Sequence, residues 1–226
     1  MDGAISTEEM CARYRRLYTG AIYDVLSRRG LKDQVLNRAI KPVLPGMAVA
    51  GPAYTVKGMR VPADEAWRVD PPVDLLAGVT PGCVIVYDPG NEQECGHWGE
   101  LTSNAAAVLG ARGVVVDGGV RDLAYVESLG LPIMARYRTP AQAIGRWRVT
   151  GSQVPVRVRG ALEDWVTVEP GDLVVADRDG VIVVPAPLVS TVAPRALQWA
   201  DKDSRAREDI RRGGSLLKAL DTYGHL

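Results

Sequence analysis

The fold of this chain is decided by residues 83–136, which read CVIVYDPGNEQECGHWGELTSNAAAVLGARGVVVDGGVRDLAYVESLGLPIMAR. Three continuous apolar runs are typical of strands buried on both faces: 83–87, 114–116 and 132–134. Between them, the alanine-rich segment 101–111 and the segment 121–129 predict helices, the second ending at Gly130. Because strands that alternate with helices pair in parallel, the stretch predicts a β-α-β-α-β unit.

The second half of the chain has a different periodicity. Beyond residue 145, apolar residues alternate with polar ones, as in half-buried antiparallel strands: Val154, Val156, Val158, Val166 and Val168. Residues 173–176 and 181–184 flank the polar turn 177–180 and predict a hairpin. The fold class is therefore expected to be α/β, with a parallel β/α core and an antiparallel half.

Helices are expected at both ends of the chain. Ser6 followed by Glu9 predicts a capping box, and Thr19 is expected to cap a second helix. Residues 1–30 and 187–226 are thus predicted to be helical termini of one domain that spans 1–226. Two polar segments predict loops: 59–72 and 90–98.

Composition excludes several classes of protein. The 226 residues carry 27 basic and 27 acidic side chains, so no charge excess attracts nucleic acid or an anionic membrane. Neither kind of partner is expected, and no apolar run is long enough to span a bilayer. Three cysteines without a CxxC pair, and an acidic N-terminus without an apolar signal region, predict a cytoplasmic location.

Two strand-to-helix junctions are candidate functional sites. At Gly99-Glu100 a helix begins after one buried strand, and free N–H groups at a helix start suit an anion. At Arg121-Asp122, after the next strand, the chain offers a two-pronged donor and an oxygen ligand for a hard cation. A simpler interpretation stays open, in which the acids only stabilise helix starts and Arg121 forms a surface ion pair.

The spacing of Glu100 and Arg121-Asp122 within residues 96–136 resembles the signature of the RraA-like superfamily. The resemblance extends to YDVL at 23–26 and PGDLVVADRDGVIVVP at 170–185. This superfamily includes class II pyruvate aldolases that cleave 4-hydroxy-4-methyl-2-oxoglutarate or 4-carboxy-4-hydroxy-2-oxoadipate, and a protein inhibitor of ribonuclease E. The resemblance implies a β/β/α sandwich of the swivelling-domain type that assembles as a homotrimer or hexamer.

The same resemblance implies roles for individual residues. Asp122 would ligate Mg²⁺ or Mn²⁺, and Arg121 would contact the oxygens of the keto acid. Backbone N–H groups from Gly99 to Leu101 would hold the pyruvyl carboxylate. Glu100, where family members usually carry Asp, would bind water on the metal and help proton transfer. Glu208 is the candidate for an acid supplied by a neighbouring subunit.

The chemistry of the remaining side chains agrees with a metal-dependent reaction. Cleavage beside a ketone leaves an enolate, which needs a lysine Schiff base or a metal as electron sink. None of the five lysines lies at either junction, and Lys57 is expected to extend from a strand to solvent. His97 is a candidate general acid or base, with a bystander role as the alternative. With Cys95 it forms a lone C-x-H, which is too little for zinc.

The sequence therefore predicts a metal-dependent lyase that cleaves a small 4-hydroxy-2-oxo acid to pyruvate, with oxaloacetate decarboxylation as an expected side activity. The alternative is a non-catalytic regulator that binds a protein partner. No glycine-rich cofactor loop supports a methyltransferase, and no P-loop or nucleophile elbow is present.

Overall fold

The computed structural model describes residues 5–62 and 75–224. Most of the loop predicted at 59–72 lies outside these described residues. The α-helices in the described part are α1 (Thr7–Arg15), α2 (Thr19–Arg28), α3 (Glu100–Val108), α4 (Leu123–Leu129), α5 (Val189–Arg211) and α6 (Leu216–Tyr223), with a 3₁₀ turn at Ala186–Leu188. The strands are β1 (Lys41–Pro42), β2 (Val49–Arg60), β3 (Val84–Asp88), β4 (Gly96–Trp98), β5 (Gly113–Val120), β6 (Ile133–Arg138), β7 (Trp147–Ser152), β8 (Val156–Arg159), β9 (Trp165–Val168), β10 (Leu173–Ala176) and β11 (Val181–Val184).

One mixed sheet organises the molecule, with strand order β1-β6-β5-β3-β2-β10-β11. Strands β3, β5 and β6 are parallel, as the alternation of strands and helices predicts, and β2 pairs in parallel with β3. The edges are antiparallel, because β1 pairs with β6 and the β10–β11 hairpin pairs with β2. Strand β4 also pairs with β5, and β7 pairs with β2. Strands β8 and β9 form a separate two-stranded sheet.

The layers of the fold follow from side-chain alternation along the buried strands. On β3, Ile85 and Tyr87 join the core that includes Ala106 of α3 and Val126 of α4. Val84 and Val86, on the opposite face, join the core that includes the valines of β8 and β9. The central sheet thus lies between helices and a second sheet, which confirms the predicted β/β/α sandwich.

The helical termini pack against the hairpin end of the sheet. Tyr14 of α1 and Ile22 of α2 are fully buried with Val192 of α5 against β10 and β11. Ser6 Oγ accepts the Glu9 N–H at 3.2 Å, which confirms one half of the predicted capping box. The Glu9 carboxylate accepts from Arg13 at 2.9 Å and does not complete the box. The expectation for Thr19 was wrong: its N–H and hydroxyl both donate to Asp177 of the hairpin turn, at 2.8 and 2.9 Å.

Several boundaries differ from the sequence-based expectation, among them the start of α4, which was expected at residue 121 and lies at Leu123. The predicted loop 90–98 contains strand β4, and residues 59–60 belong to β2. Strand β5 continues to Val120, so the Gly118-Gly119 pair lies inside a strand. These differences bear on the candidate site, because β4 and the end of β5 carry it. In residues 5–62 and 75–224, no helix combines the length and the apolar character needed to cross a membrane.

Candidate active site

The two predicted junctions lie side by side. Strand β4 pairs in parallel with β5, with Gly96 opposite Gly119 and Trp98 opposite Val120. The Arg121 N–H donates to the carbonyl oxygen of Trp98 at 2.9 Å, which joins the ends of the two strands. Because parallel strands end at the same edge, the segments that follow β4 and β5 begin next to each other.

Asp122 connects the two segments directly. Its Oδ2 accepts the backbone N–H of Glu100 at 3.3 Å, and both its carboxylate oxygens lie 3.1 Å from Arg121 Nε. The residue has a φ of 61°, in the left-handed region, at the N-cap position of α4. Asp and Asn tolerate this conformation better than most residues. The backbone thus turns the carboxylate of Asp122 towards the start of α3.

Gly99 allows this close approach. An ideal Cβ at this position would lie 2.6 Å from Asp122 Oδ2 and 3.0 Å from Arg121 Cγ. The Gly99 backbone is extended, with φ of −154°, so its special requirement is space and not conformation. Any side chain at residue 99 would force the Asp122 carboxylate out of its place beside the start of α3.

Side-chain hydrogen bonds hold the start of α3 in place. The buried Trp98 indole donates to Ser103 Oγ at 2.8 Å, and that hydroxyl donates to the carbonyl oxygen of Gly99 at 2.8 Å. The Gly99 N–H donates to Thr102 Oγ1 at 3.1 Å. These contacts hold the first turn of α3 in a single orientation relative to β4.

Several polar groups at this edge are free to bind a ligand. Among the described residues, the backbone N–H groups of Leu101 and Thr102, in the first turn of α3, donate to no acceptor. The Arg121 guanidinium uses only Nε towards the described part of the protein. The Glu100 carboxylate has no hydrogen-bond or ion-pair partner among the residues that the structure describes. Side chains of Arg121 and Asp122 are 35% and 32% exposed, so solvent and small solutes can reach them.

His97 does not share this exposure. Its side chain is buried and lies 2.8 Å from Glu92 Oε2, while its Nδ1 accepts the Gly119 N–H at 3.3 Å. Sequence reasoning identified no partner for His97 and missed Glu92 altogether. Cys95 completes a buried group, with its Sγ 3.0 Å from Glu92 Oε2 and 3.7 Å from His97 Nε2. All three side chains are of types that can ligate a metal.

Charge in this buried group is confined to Glu92. Burial alone would raise the pKa of the Glu92 carboxyl, but hydrogen bonds from Cys95 and Glu94 outweigh it, and the pKa is lowered. Burial lowers the pKa of the His97 imidazole below 6.5, although Glu92 opposes the shift. Burial and Glu92 raise the pKa of the Cys95 thiol to about 12. At neutral pH the group therefore holds one carboxylate, a neutral imidazole and a neutral thiol.

The lowered pKa of His97 predicts a loss of stability in mild acid. The unfolded chain binds a proton near pH 6.5 but the folded chain does not, so the free energy of unfolding falls as pH drops below 6.5. For one proton the slope approaches about 1.4 kcal/mol per pH unit. Urea unfolding at several pH values between 8 and 5 measures the slope of the unfolding free energy against pH, and His97→Gln should reduce this slope. An unchanged slope in His97→Gln would contradict the assignment to His97.

Two other acids have partners of their own. Asp117, which follows the predicted strand 114–116, lies buried within β5 and accepts from Arg136 Nε and from the Arg159 N–H, both at 2.8 Å. Its role is to join β5, β6 and β8. Glu208 lies exposed on α5, where it forms an ion pair with Arg212.

Comparison with known proteins connects this arrangement to one family. The family model described as RraA-like, Aldolase/RraA, matches residues 19–183. A protein of Halalkalibacterium halodurans provisionally named 4-hydroxy-4-methyl-2-oxoglutarate aldolase is 32% identical over 200 residues, covering 88% of each chain. Protein DlpA of Legionella pneumophila is 29% identical over 203 residues, which are 89% of this chain and 32% of DlpA. The chain thus spans about a third of the length of DlpA.

A solved structure extends the similarity to the whole fold. RraAS2 of Streptomyces coelicolor, described as an unusual member of the RNase ES inhibitor RraA protein family, superimposes with a TM-score of 0.76. The sequences are 27% identical, and the match covers 88% of this chain and 97% of RraAS2. The similar proteins therefore include one with an aldolase name and one with an inhibitor family name.

Proposed function

This chain belongs to the RraA-like family, and from that premise we propose that it is a divalent-metal-dependent carbon–carbon lyase. Its substrate is a small 4-hydroxy-2-oxo acid, its product is pyruvate, and its intermediate is the pyruvate enolate. One observation carries the proposal: Asp122 Oδ2 lies 3.3 Å from the Glu100 N–H, which brings Glu100, Arg121 and Asp122 to a single partly exposed edge. Decarboxylation of oxaloacetate, which forms the same enolate, is the proposed side activity.

The donor set at this edge fits Mg²⁺ or Mn²⁺. Mg²⁺ takes oxygen ligands, keeps several waters and is often held by one or two carboxylates together with substrate oxygens. Asp122 would hold the ion through its carboxylate. The buried group of Glu92, Cys95 and His97 is a poorer match, because it offers sulfur and nitrogen and is closed to substrate. A divalent cation at Asp122 supplies a Lewis acid that stabilises negative charge on the substrate oxygens.

The residues of the chain have separable tasks in this reaction. The resemblance assigned the substrate carboxylate to the N–H groups of Gly99 to Leu101, but those of Gly99 and Glu100 already donate to Thr102 Oγ1 and Asp122 Oδ2. The free N–H groups of Leu101 and Thr102 therefore bind the carboxylate, at the positive end of α3. The terminal nitrogens of Arg121 bind the 2-oxo oxygen, where negative charge develops. Through a water molecule, Glu100 takes up the proton of the C4 hydroxyl. The electrons of the C3–C4 bond then move towards the C2 oxygen, and water protonates the enolate at C3.

The lysines support a metal as electron sink rather than a Schiff base. All five lysines are exposed: Lys32, Lys41, Lys57, Lys202 and Lys218. A Schiff-base lysine needs a lowered pKa, which normally comes from burial or a neighbouring cation. Exposed ammonium groups lack that burial.

The proposed activity has a direct assay. Purified protein is incubated with oxaloacetate or 4-hydroxy-4-methyl-2-oxoglutarate and Mg²⁺ or Mn²⁺, and pyruvate is measured with lactate dehydrogenase. We expect turnover that a chelator stops and added metal restores. Pyruvate release that is unaffected by chelator would contradict metal dependence, and its absence with both substrates would contradict the lyase.

Gly99→Ala should impair the site without unfolding the protein. The new Cβ would lie 2.6 Å from Asp122 Oδ2, so the carboxylate must be displaced, while the extended backbone accepts alanine. A displacement near 1 Å costs about 10²-fold in kcat/KM. Gly151→Ala is the control, since its Cβ would meet nothing closer than 3.5 Å. Equal kinetics for both variants would show that the spacing at Gly99 is unimportant.

Arg121→Lys should lower kcat/KM while keeping the positive charge. Lysine replaces the two-pronged guanidinium with a point charge, so simultaneous contact with Asp122 and the substrate is lost. The loss should reach on the order of tenfold or more, equivalent to about 1.4 kcal/mol of one charge-assisted hydrogen bond. Unchanged kinetics in the pyruvate assay would show that Arg121 has only a structural role.

The second candidate function is a non-catalytic regulator that binds a protein. The similarity to RraAS2 favours it, because that structure is described within an inhibitor family. An inhibitor has no need of Glu100, Arg121 and Asp122 converging on one edge, whereas a lyase does. The chelator experiment separates the two, since a regulator releases no pyruvate.

Assembly as a homotrimer or hexamer is also part of the proposal. Three large apolar side chains near the site are exposed in the single chain, Leu101 and Val108 on α3 and Tyr125 on α4. Exposed apolar groups of this size are typical of contact surfaces. Light scattering measures the assembly, and activity of Glu208→Gln tests whether that acid acts in a neighbouring subunit's site.

A further inference from the structure

The buried group behind the site is fully hydrogen-bonded without a metal. The Glu92 carboxylate accepts the Glu94 N–H at 2.8 Å, the Cys95 N–H at 3.3 Å and the Cys95 thiol at 3.0 Å. His97 Nε2 lies 2.8 Å from Glu92 Oε2. A carboxylate with four donors around it is well satisfied, although it is only 5% exposed.

The hydrogen bond on the far side of the imidazole determines where its proton lies. The Gly119 N–H can only donate, so His97 Nδ1 must accept, and the proton of the neutral ring is on Nε2. Ligation of a metal by Nε2 would move that proton to Nδ1, where it would face the Gly119 N–H. The group therefore favours a hydrogen bond from His97 to Glu92 over a metal site.

This pair of hydrogen bonds joins the two strands that carry the site. His97 is the middle residue of β4, Gly119 lies near the end of β5, and Glu92 belongs to the segment before β4. Two residues beyond His97 the chain reaches Gly99, and two residues beyond Gly119 it reaches Arg121. The imidazole thus makes a direct side-chain contact from β4 to β5, two residues before the site on each strand.

The surroundings leave the imidazole little room to move. An ideal Cβ at Gly118 would lie 2.5 Å from His97 Nδ1, so glycine is needed there for the ring to fit. On other sides the ring packs against Trp147, with centroids 5.4 Å apart, and Tyr87, at 6.4 Å. A ring held this closely transmits any change in its position to β5.

We infer that Glu92 and His97 are positioning residues for the active site: they set the separation of β4 and β5, and hence of Gly99-Glu100 from Arg121-Asp122. Neither side chain touches the substrate. The inference rests on the proposed lyase, because the separation matters only if one ligand contacts both segments. Changing the separation should then weaken binding and slow the reaction together.

Three variants test the inference in the oxaloacetate assay with Mg²⁺. His97→Leu removes both hydrogen bonds, whereas His97→Gln offers an amide that can accept from Gly119 and donate to Glu92. Thr55→Val is the matched control. Thr55, on β2, is buried like His97, and its hydroxyl donates to the Val154 carbonyl at 2.6 Å. We expect His97→Leu to lose about 10²-fold in kcat/KM, through both KM and kcat, and His97→Gln to recover most of it.

The division between KM and kcat separates positioning from loss of folded protein. Partial unfolding lowers the active fraction and apparent kcat but leaves KM unchanged, as expected for Thr55→Val if it loses any activity. Circular dichroism gives the folded fraction of each variant. If His97→Leu does not fold, Gly118→Ala, which displaces the same ring from β5, is expected to show the same rise in KM.

Calorimetry measures the binding of oxalate, an enolpyruvate analogue, in the presence of Mg²⁺. This measurement separates a failure of the positioning role from a failure of the proposed function. Wild-type protein that neither binds oxalate nor releases pyruvate would overturn both. Wild-type binding with unchanged KM and kcat in His97→Leu or Gly118→Ala would overturn only the positioning role. If the purified protein contains one equivalent of zinc and Cys95→Ala loses it, the buried group is a metal site and the positioning role is overturned.

Discussion

Asp122→Asn is expected to abolish metal-dependent turnover while the protein remains folded. Asparagine lacks the negative charge that holds a divalent cation, and charge stabilisation by the cation is worth several kcal/mol. The loss in kcat should therefore be on the order of 10³-fold or more, at about 1.4 kcal/mol per tenfold. Added Mg²⁺ or Mn²⁺ should recover little of it.

The fold should tolerate this substitution for reasons visible in the structure. Asparagine, like aspartate, accepts the left-handed φ of 61° at this position, and its Oδ1 can still accept the Glu100 N–H. The lost ion pair with Arg121 is partly exposed, and such pairs contribute about 0–1 kcal/mol. Asp179→Asn, in the exposed hairpin turn, is the control. Wild-type turnover and metal dependence in Asp122→Asn would remove the metal site from this edge.

Glu100→Gln is expected to lower kcat by about 10²–10⁴-fold, because the glutamine amide cannot take up the proton of the C4 hydroxyl. If Glu100 only stabilised the start of α3, the charge would be worth about 0.3–1 kcal/mol and most activity would remain. The two interpretations differ by well over tenfold in rate. Measured kcat therefore decides between them.

Pyruvate inhibition provides the internal control for Glu100→Gln. The pyruvate carboxylate is assigned to the N–H groups of Leu101 and Thr102, which the substitution leaves in place. The inhibition constant should thus change little while kcat falls. Near-wild-type kcat would contradict the catalytic assignment and strengthen the regulator alternative.

The strands and helices that the sequence predicts correctly are those with a local cause. The continuous apolar runs around Ile85 and Val115 are buried on both faces of the sheet. Gly130 has a φ of 64° and ends α4, as a glycine after a helix predicts. Ser6 caps α1 through a contact three residues away. Each signal depends on neighbours along the chain, which a sequence displays directly.

The positions of Glu100 and Arg121-Asp122 at one edge also follow from the sequence, because parallel strands place their carboxyl ends together. Their functional roles, the single-domain span, the cytoplasmic location and the oligomeric state stay predictions. The sequence could not supply the geometry that makes the edge compact. That geometry depends on Gly99, whose missing side chain leaves room for Asp122.

The errors have one physical origin, which is contact between elements distant in sequence. Gly118-Gly119 has the composition of a turn, yet both residues lie in β5 and make room for His97 and Tyr137. Gly58 is likewise explained by Trp147, whose ring lies 1.7 Å from where a Cβ would be. Glycine in a sequence signals either a turn or a close approach, and only the approaching side chain distinguishes them.

Local apolar periodicity and turn residues were enough to determine the parallel core, the antiparallel half and the edge that carries the candidate site. The tertiary structure alone decided that residues 96–98 form a strand, that β8 and β9 cover one face of the sheet, and that Glu92 and His97 lie behind the site. The donors to the Glu92 carboxylate all lie within residues 94–97, but the imidazole beside it is buried only because Gly118 of β5 leaves room for the ring and Gly119 donates to it. This contact between β4 and β5 is a property of the packed chain, and no periodicity along the sequence records it.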